Sequence, residues 1–175
     1  SDKKAIFENM IIIEDNKQYG VINLQVVNGV LKSNAVLEAK YEEIRYLPVT
    51  KDFIVKSNGK YGIVTKEAQI KVRAVYDEIK TMDNQNGLYL VKQNSTYGIV
   101  DNNGEVVIAP EYKQIGINID RFKQNGVDNQ YVLLNEVIPV QNSKNLWGFF
   151  KIDGQQVIDF KYTGLGCIQS SANNS

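Results

Sequence analysis

The sequence has no histidine, a single cysteine, three prolines and no excess charge of either sign, with 20 basic and 20 acidic side chains. Each shortage argues against a class of function. Without histidine the usual general base near neutral pH is missing, and a nucleophilic serine would depend on a lysine or carboxylate partner that no local motif supplies. Cys167 has no intramolecular disulfide partner, and one cysteine without histidine argues against a structural zinc site and a Cys-His nucleophile. It reads as a partly buried thiol. The charges are interspersed along the chain with no basic run, which argues against nucleic-acid binding and a polybasic membrane anchor.

Long hydrophobic runs are also missing. The longest, Met10 to Ile13, falls far short of a transmembrane helix or a signal-peptide core, so the chain reads as soluble, with no membrane insertion. It opens Ser-Asp-Lys-Lys without methionine, which fits a removed export signal, a trimmed initiator or a truncated chain equally well. The compartment stays open.

What the sequence does have is an internal repeat. An aromatic residue followed by glycine occurs at Tyr19-Gly20, Tyr61-Gly62, Tyr97-Gly98 and Trp147-Gly148. A tyrosine follows 15 residues later in three of the units, at Tyr76, Tyr112 and Tyr162; in the first it is Tyr41, seven residues late. Four positions before those tyrosines stand Leu37, Val72, Ile108 and Ile158, and three after them Ile44, Ile79, Ile115 and Leu165. Upstream, Ile13, Val55, Val91 and Val140 form a further aliphatic column.

Each unit reads as short strands separated by turn residues. In the third, Leu88 to Lys92 and Thr96 to Val100 are strands joined by a turn, Asp101 to Gly104 makes a tight turn, and Glu105 to Ala109 is a third strand. Pro110, which cannot donate to a ladder, is expected to end it, and a short strand near Tyr112 to Ile115 leads onward. Tyr97 and Ile99 point to one face and Gly98 and Val100 to the other, so the aromatic-glycine strand reads as central in its sheet. The recurring glycine is expected where another ring or backbone comes too close for a Cβ, rather than at a ligand contact.

The columns therefore describe an all-β chain, residues 1–175 as a single β-repeat domain. Its units are four tandem antiparallel β-meanders of about 36 residues, at about 10–46, 52–81, 88–117 and 137–168. Spacings of 42, 36 and 50 between the aromatic-glycine pairs favour an open, solenoid-like array, with small propeller-like closure as the alternative. Asn28-Gly29 marks a longer hairpin in the first unit. An insertion at about 116–139 reads as one more hairpin within Phe122 to Leu134, and residues 169–175 as a flexible tail. Phe122, Asn125, Asp128 and Tyr131, on the least repetitive stretch, are the candidate binding residues, since insertions into repeats often carry recognition.

The run Tyr97-Gly98-Ile99-Val100-Asp101, then Gly104, Val106 to Ile108, Pro110 and Tyr112, resembles the WG repeat family of bacterial proteins. The resemblance covers nearly the whole chain, although Trp147 is the only tryptophan and Glu67-Ala68-Gln69 stands where the second unit's glycine turn belongs. It implies repeat arrays of varying copy number, often in exported or surface-associated proteins, with no shared catalytic residues.

No catalytic, cofactor or metal site is expected. Asp101 to Glu105 has the composition of a calcium loop, but Tyr112 stands where such a loop should close with an acid, and a plain turn is the better reading. Tyr41, Tyr76, Tyr112 and Tyr162 could form a sugar-binding ladder, yet their place beside aliphatic columns favours stacking in the core. The expectation is a non-enzymatic scaffold that binds a protein or surface polymer such as a glycan. A carbohydrate-binding module is the alternative, and a carboxylate-based hydrolase the weaker one. An unpaired end strand could also pair with a second copy.

Overall fold

The structure is a computed structural model describing residues 9–82, 87–118, 131–132 and 136–165; Cys167, Phe122, Asn125 and Asp128 lie outside that set. Within it every regular element is a strand, no helix is long and apolar enough to cross a membrane, and no barrel closes. The first sheet comprises β1 (Met10–Asp15), β2 (Gln18–Val27) and β3 (Val30–Tyr41). The second is β4 (Glu43–Leu47), β5 (Asp52–Ser57), β6 (Lys60–Val64) and β7 (Ile70–Tyr76). The third is β8 (Glu78–Thr81), β9 (Leu88–Gln93), β10 (Thr96–Asp101) and β11 (Val106–Tyr112). After β12 (Gln114–Ile115), a two-stranded ribbon of β13 (Ile117–Asn118) and β14 (Tyr131–Val132) bounds the insertion. Then β15 (Val137–Gln141), β16 (Trp147–Lys151) and β17 (Gln156–Tyr162) join β12 in the fourth sheet.

Every sheet is antiparallel, with consecutive strands side by side except where β12 pairs with β15 past the ribbon, and its hairpins turn on residues at positive φ. Asn28 and Gly29, at φ 53° and 79°, turn the long β2–β3 hairpin, and Asn94 and Ser95 do the same between β9 and β10. The aromatic-glycine strands β2, β6, β10 and β16 each have a hydrogen-bonded neighbour on both sides. Sheet boundaries fall directly after the repeat tyrosines. The short strand that follows Tyr41, Tyr76 or Tyr112 pairs forward, with the next unit's hairpin: Ile44 with Val55, Ile79 with Val91, Ile115 with Val140.

The glycine column is explained by the third strand of each sheet. Tyr97 pairs with Tyr112 while Ile99 pairs with Ile108, so three residues bulge opposite Gly98 alone. A Cβ on Gly98 would stand 2.5 Å from the Ile108 carbonyl oxygen and 2.7 Å from the Pro110 nitrogen. Gly62 meets Val72 and Ala74 in the same way, and Gly20 meets Leu37 and Ala39. None of these glycines has positive φ; space and not conformational freedom selects them. Pro110 does not end the strand as its chemistry led us to expect. It lies inside β11, at the bulge, where the ladder asks for no N–H.

Alternation along the strands gives each sheet two apolar faces, and consecutive sheets share them. Val21 and Leu37 pack with Phe53, Val55 and Val64 at the first junction. Ile54, Ile63 and Val72 pack with Tyr89, Val91 and Val100 at the second, and Leu90, Ile99 and Ile108 with Ile138, Val140 and Phe150 at the third. Among the described residues no core joins the fourth sheet back to the first, so the stack is open.

Candidate binding grooves at the sheet junctions

The two repeat aromatics of a unit are cross-strand partners: Tyr19 with Tyr41, Tyr61 with Tyr76, Tyr97 with Tyr112, Trp147 with Tyr162. The seven extra residues between Tyr19 and Tyr41 are absorbed at the hairpin tip, and the pairing is kept. Tyr41 and Tyr76 are buried, Tyr112 is half-buried and Tyr162 is exposed, so the column is not an exposed row.

The residue after each of the first three tyrosines reaches the hairpin tip of the following unit. Glu42 accepts from the Gly59 amide at 3.1 Å, Asp77 from the Asn94 amide at 3.0 Å, and Lys113 donates to the Asn145 side chain. Asp77 also pairs with Lys60, and that ammonium together with the Asn94 amide holds its carboxyl below the usual aspartate range. The acidic residue of the tyrosine motif thus fastens one unit to the next.

Beside these links a groove opens at each of the two later junctions, at the same repeat address. Between the second and third sheets it is lined by Glu43, Arg45, Ile54, Tyr61, Asp77, Glu78, Ile79 and Lys80, with a volume of about 320 Å³. Between the third and fourth it is lined by Leu90, Tyr97, Lys113, Gln114 and Ile115, about 250 Å³. Ile54 and Leu90, Tyr61 and Tyr97, and Ile79 and Ile115 occupy equivalent places. A further cleft of about 260 Å³, lined by Arg45 to Thr50 on one side and Thr81 and Gly87 to Tyr89 on the other, continues the second junction, with Arg45 common to both.

The first groove is polar but internally paired. Tyr61 donates its hydroxyl hydrogen to Glu43 Oε2 at 2.6 Å, and that bond, aided by burial, pushes its phenol up to about 12. Arg45 Nη2 donates to the Ile79 carbonyl at 3.3 Å, and Lys80 lies 2.8 Å from Glu78. Lys56 and Lys92, cross-strand neighbours of Tyr61 and Tyr97, hold their ammonium groups 5.4 and 5.5 Å from those rings.

Of the sequence-derived binding candidates, only Tyr131 falls within the described backbone, where it pairs with Asn118. Asp101, the residue that gave the calcium-like composition, accepts backbone N–H groups from Asn103 and Glu105 at 2.8 and 3.0 Å, as an Asx turn does. No group of three or more histidine, cysteine, aspartate or glutamate side chains is placed for a metal among the described residues. Two features went unread in the sequence. One is the Asp52–Lys71 ion pair, 2.6 Å apart, whose aspartate residue is 4% exposed. The other is the Arg45–Glu43 lining of the groove, whose only sequence signal is the polar series Glu43, Glu78, Gln114 two residues after each of the first three repeat tyrosines.

The sheets, their columns and their forward-pairing strands define a tandem β-meander repeat protein. Residues 61–97, 97–126 and 147–171, together more than half of the chain, match the WG containing repeat, and each match opens on the aromatic of an aromatic-glycine pair. The chain belongs to the WG containing repeat family. No curated protein matches it.

Proposed function

We propose that this chain is a non-enzymatic repeat scaffold that holds a protein or surface polymer along the grooves of its sheet junctions. The observation that carries the reading is the recurrence of one groove at one repeat address, lined each time by the repeat tyrosine, Tyr61 or Tyr97, and by residues of the short forward-pairing strand. Surfaces built that way suit an extended ligand that meets successive units in register. The one buried carboxylate among the described residues, Asp52, is engaged by Lys71, which supports a structural rather than a chemical role for it. Burial of Tyr41 and Tyr76 supports the scaffold over a sugar-stacking ladder.

The test is binding to immobilised peptide and glycan arrays by the wild-type chain, by Arg45→Glu and Lys113→Glu, and by a variant lacking Phe122 to Leu134. Both charge changes lie on exposed side chains, and thermal melting of each variant, which loses the Arg45 bond to Ile79 or the Lys113 bond to Asn145, establishes that it is folded before binding is compared. Binding weakened tenfold or more by the groove changes supports the reading. Loss only with the deletion moves recognition to the insertion. Turnover of a substrate, abolished by one substitution that preserves folding, overturns it.

A further inference from the structure

We infer that the two ends of the sheet stack fit each other, so that copies of this chain associate head to tail. Three junctions inside the chain serve as internal controls. At each, the aliphatic residue four before the repeat tyrosine is covered by the next sheet: Leu37, Val72 and Ile108 are 2, 3 and 3% exposed. Ile158, in the same column and paired with Phe149 just as Val72 pairs with Ile63, is 37% exposed. Tyr162 is 42% exposed where Tyr41 and Tyr76 are 8%. The outer face of the fourth sheet thus has the chemistry of a junction, with no sheet upon it among the described residues.

The other end supplies the matching half. The residues of the second sheet that receive the first are Phe53, Val55 and Val64, all buried. Their equivalents in the first sheet are Ile11, Ile13 and Ile22, cross-strand neighbours on the face that turns away from the second sheet, and all three are partly exposed. The backbone matches as well. β5, β9 and β15 each carry a short strand from the preceding unit along their outer edge, whereas β1, the equivalent strand, has none among the described residues. After Tyr162, the segment Thr163 to Leu165 stands where β4, β8 and β12 leave to pair forward, and Leu165 continues the column of Ile44, Ile79 and Ile115. One copy therefore offers an apolar face and a departing segment, and the other an apolar face and a strand edge that is unpaired among the described residues. The occupant this geometry specifies is a second copy of the chain, in a heterologous contact that leaves both ends of the product free to grow.

The experiment is sedimentation velocity over a concentration series, with wild-type chain, Ile13→Asp, Ile158→Asp and an equimolar mixture of the two variants. Circular dichroism and thermal melting confirm that each variant is folded; Tyr162→Lys replaces Ile158→Asp if that one is not. Wild type is expected to pass from monomer to dimer and longer species as concentration rises. Each variant alone should lose every species above monomer, and the mixture should recover a one-to-one dimer and nothing longer, because each variant keeps the half that the other lacks. A monomeric wild type at the highest soluble concentration overturns the inference. So does a dimer of Ile13→Asp alone, which would require like faces to meet, and so does a mixture that stays monomeric.

Discussion

Gly104, in the turn between β10 and β11, lies against the main chain of Lys71 in the preceding sheet, where a Cβ would stand 2.2 Å from the Lys71 carbonyl oxygen. Gly154 has the same relation to Val107, at 2.3 Å. Lys71 and Val107 are both bulged residues skipped by the ladder. The turn glycine of one unit and the bulge of the unit before it thus meet at the second and third junctions.

The second unit has Ala68 at this place, with φ 60°. A left-handed conformation costs a residue with a Cβ roughly 1–2 kcal/mol. Ala68→Gly should therefore stabilise the chain by about 1 kcal/mol, and Gly104→Ala should destabilise it by about 3 kcal/mol, since strain and overlap add there. Urea denaturation midpoints measured at unchanged slope check both.

Gly98→Ala should cost about 3 kcal/mol, because the atoms its methyl would strike are backbone and cannot turn away. Gly29→Ala is the control. Its φ is 79° but nothing lies within 4 Å of the added carbon, so it should cost only about 1 kcal/mol of backbone strain. Equal losses for the two would refute the close-approach account of the repeat glycine.

Asp52 and Lys71 form a largely buried ion pair in the second sheet, and cutting one partner strands the other. Asp52→Ala should cost about 3–5 kcal/mol, while the double change Asp52→Leu with Lys71→Met should return stability to within about 1 kcal/mol of wild type or above it. Thermal unfolding of both variants and wild type reads the difference.

Tyr61 should keep its proton in the folded chain to about pH 12, held by its bond to Glu43. The folded value lies above the ordinary phenol value of 10.0, so the contribution to stability is complete below pH 10.0 and fades as pH rises towards about 12. Ultraviolet titration of wild type minus Tyr61→Phe should show one phenol ionising near 12. The variant should also lose less stability than wild type across that interval. A difference step near 10.0 would dismiss the Glu43 bond.

The repeat was legible because its columns are the residues that every junction must bury. Leu37, Val72 and Ile108 had to be aliphatic, Gly20, Gly62 and Gly98 had to lack a side chain, and Asn28-Gly29 had to turn tightly. Pro110 misled because its missing N–H ends a ladder in most contexts, and only the bulge opposite Gly98 makes that donor unnecessary. The Asp52–Lys71 pair was not legible, since the two residues belong to different strands and lie 19 positions apart.

By itself the sequence determined the strands, their turns and the aromatic-glycine register, since these follow from side-chain periodicity and local φ preference. The tertiary structure decided which way the short strand after each tyrosine pairs, and that consecutive sheets share apolar faces in an open stack. It also decided that grooves recur at the junctions and that Ile158 and Tyr162 are left uncovered. Those outcomes depend on which faces meet across tens of residues, and a column of aliphatics reads the same whether or not another sheet lies upon it.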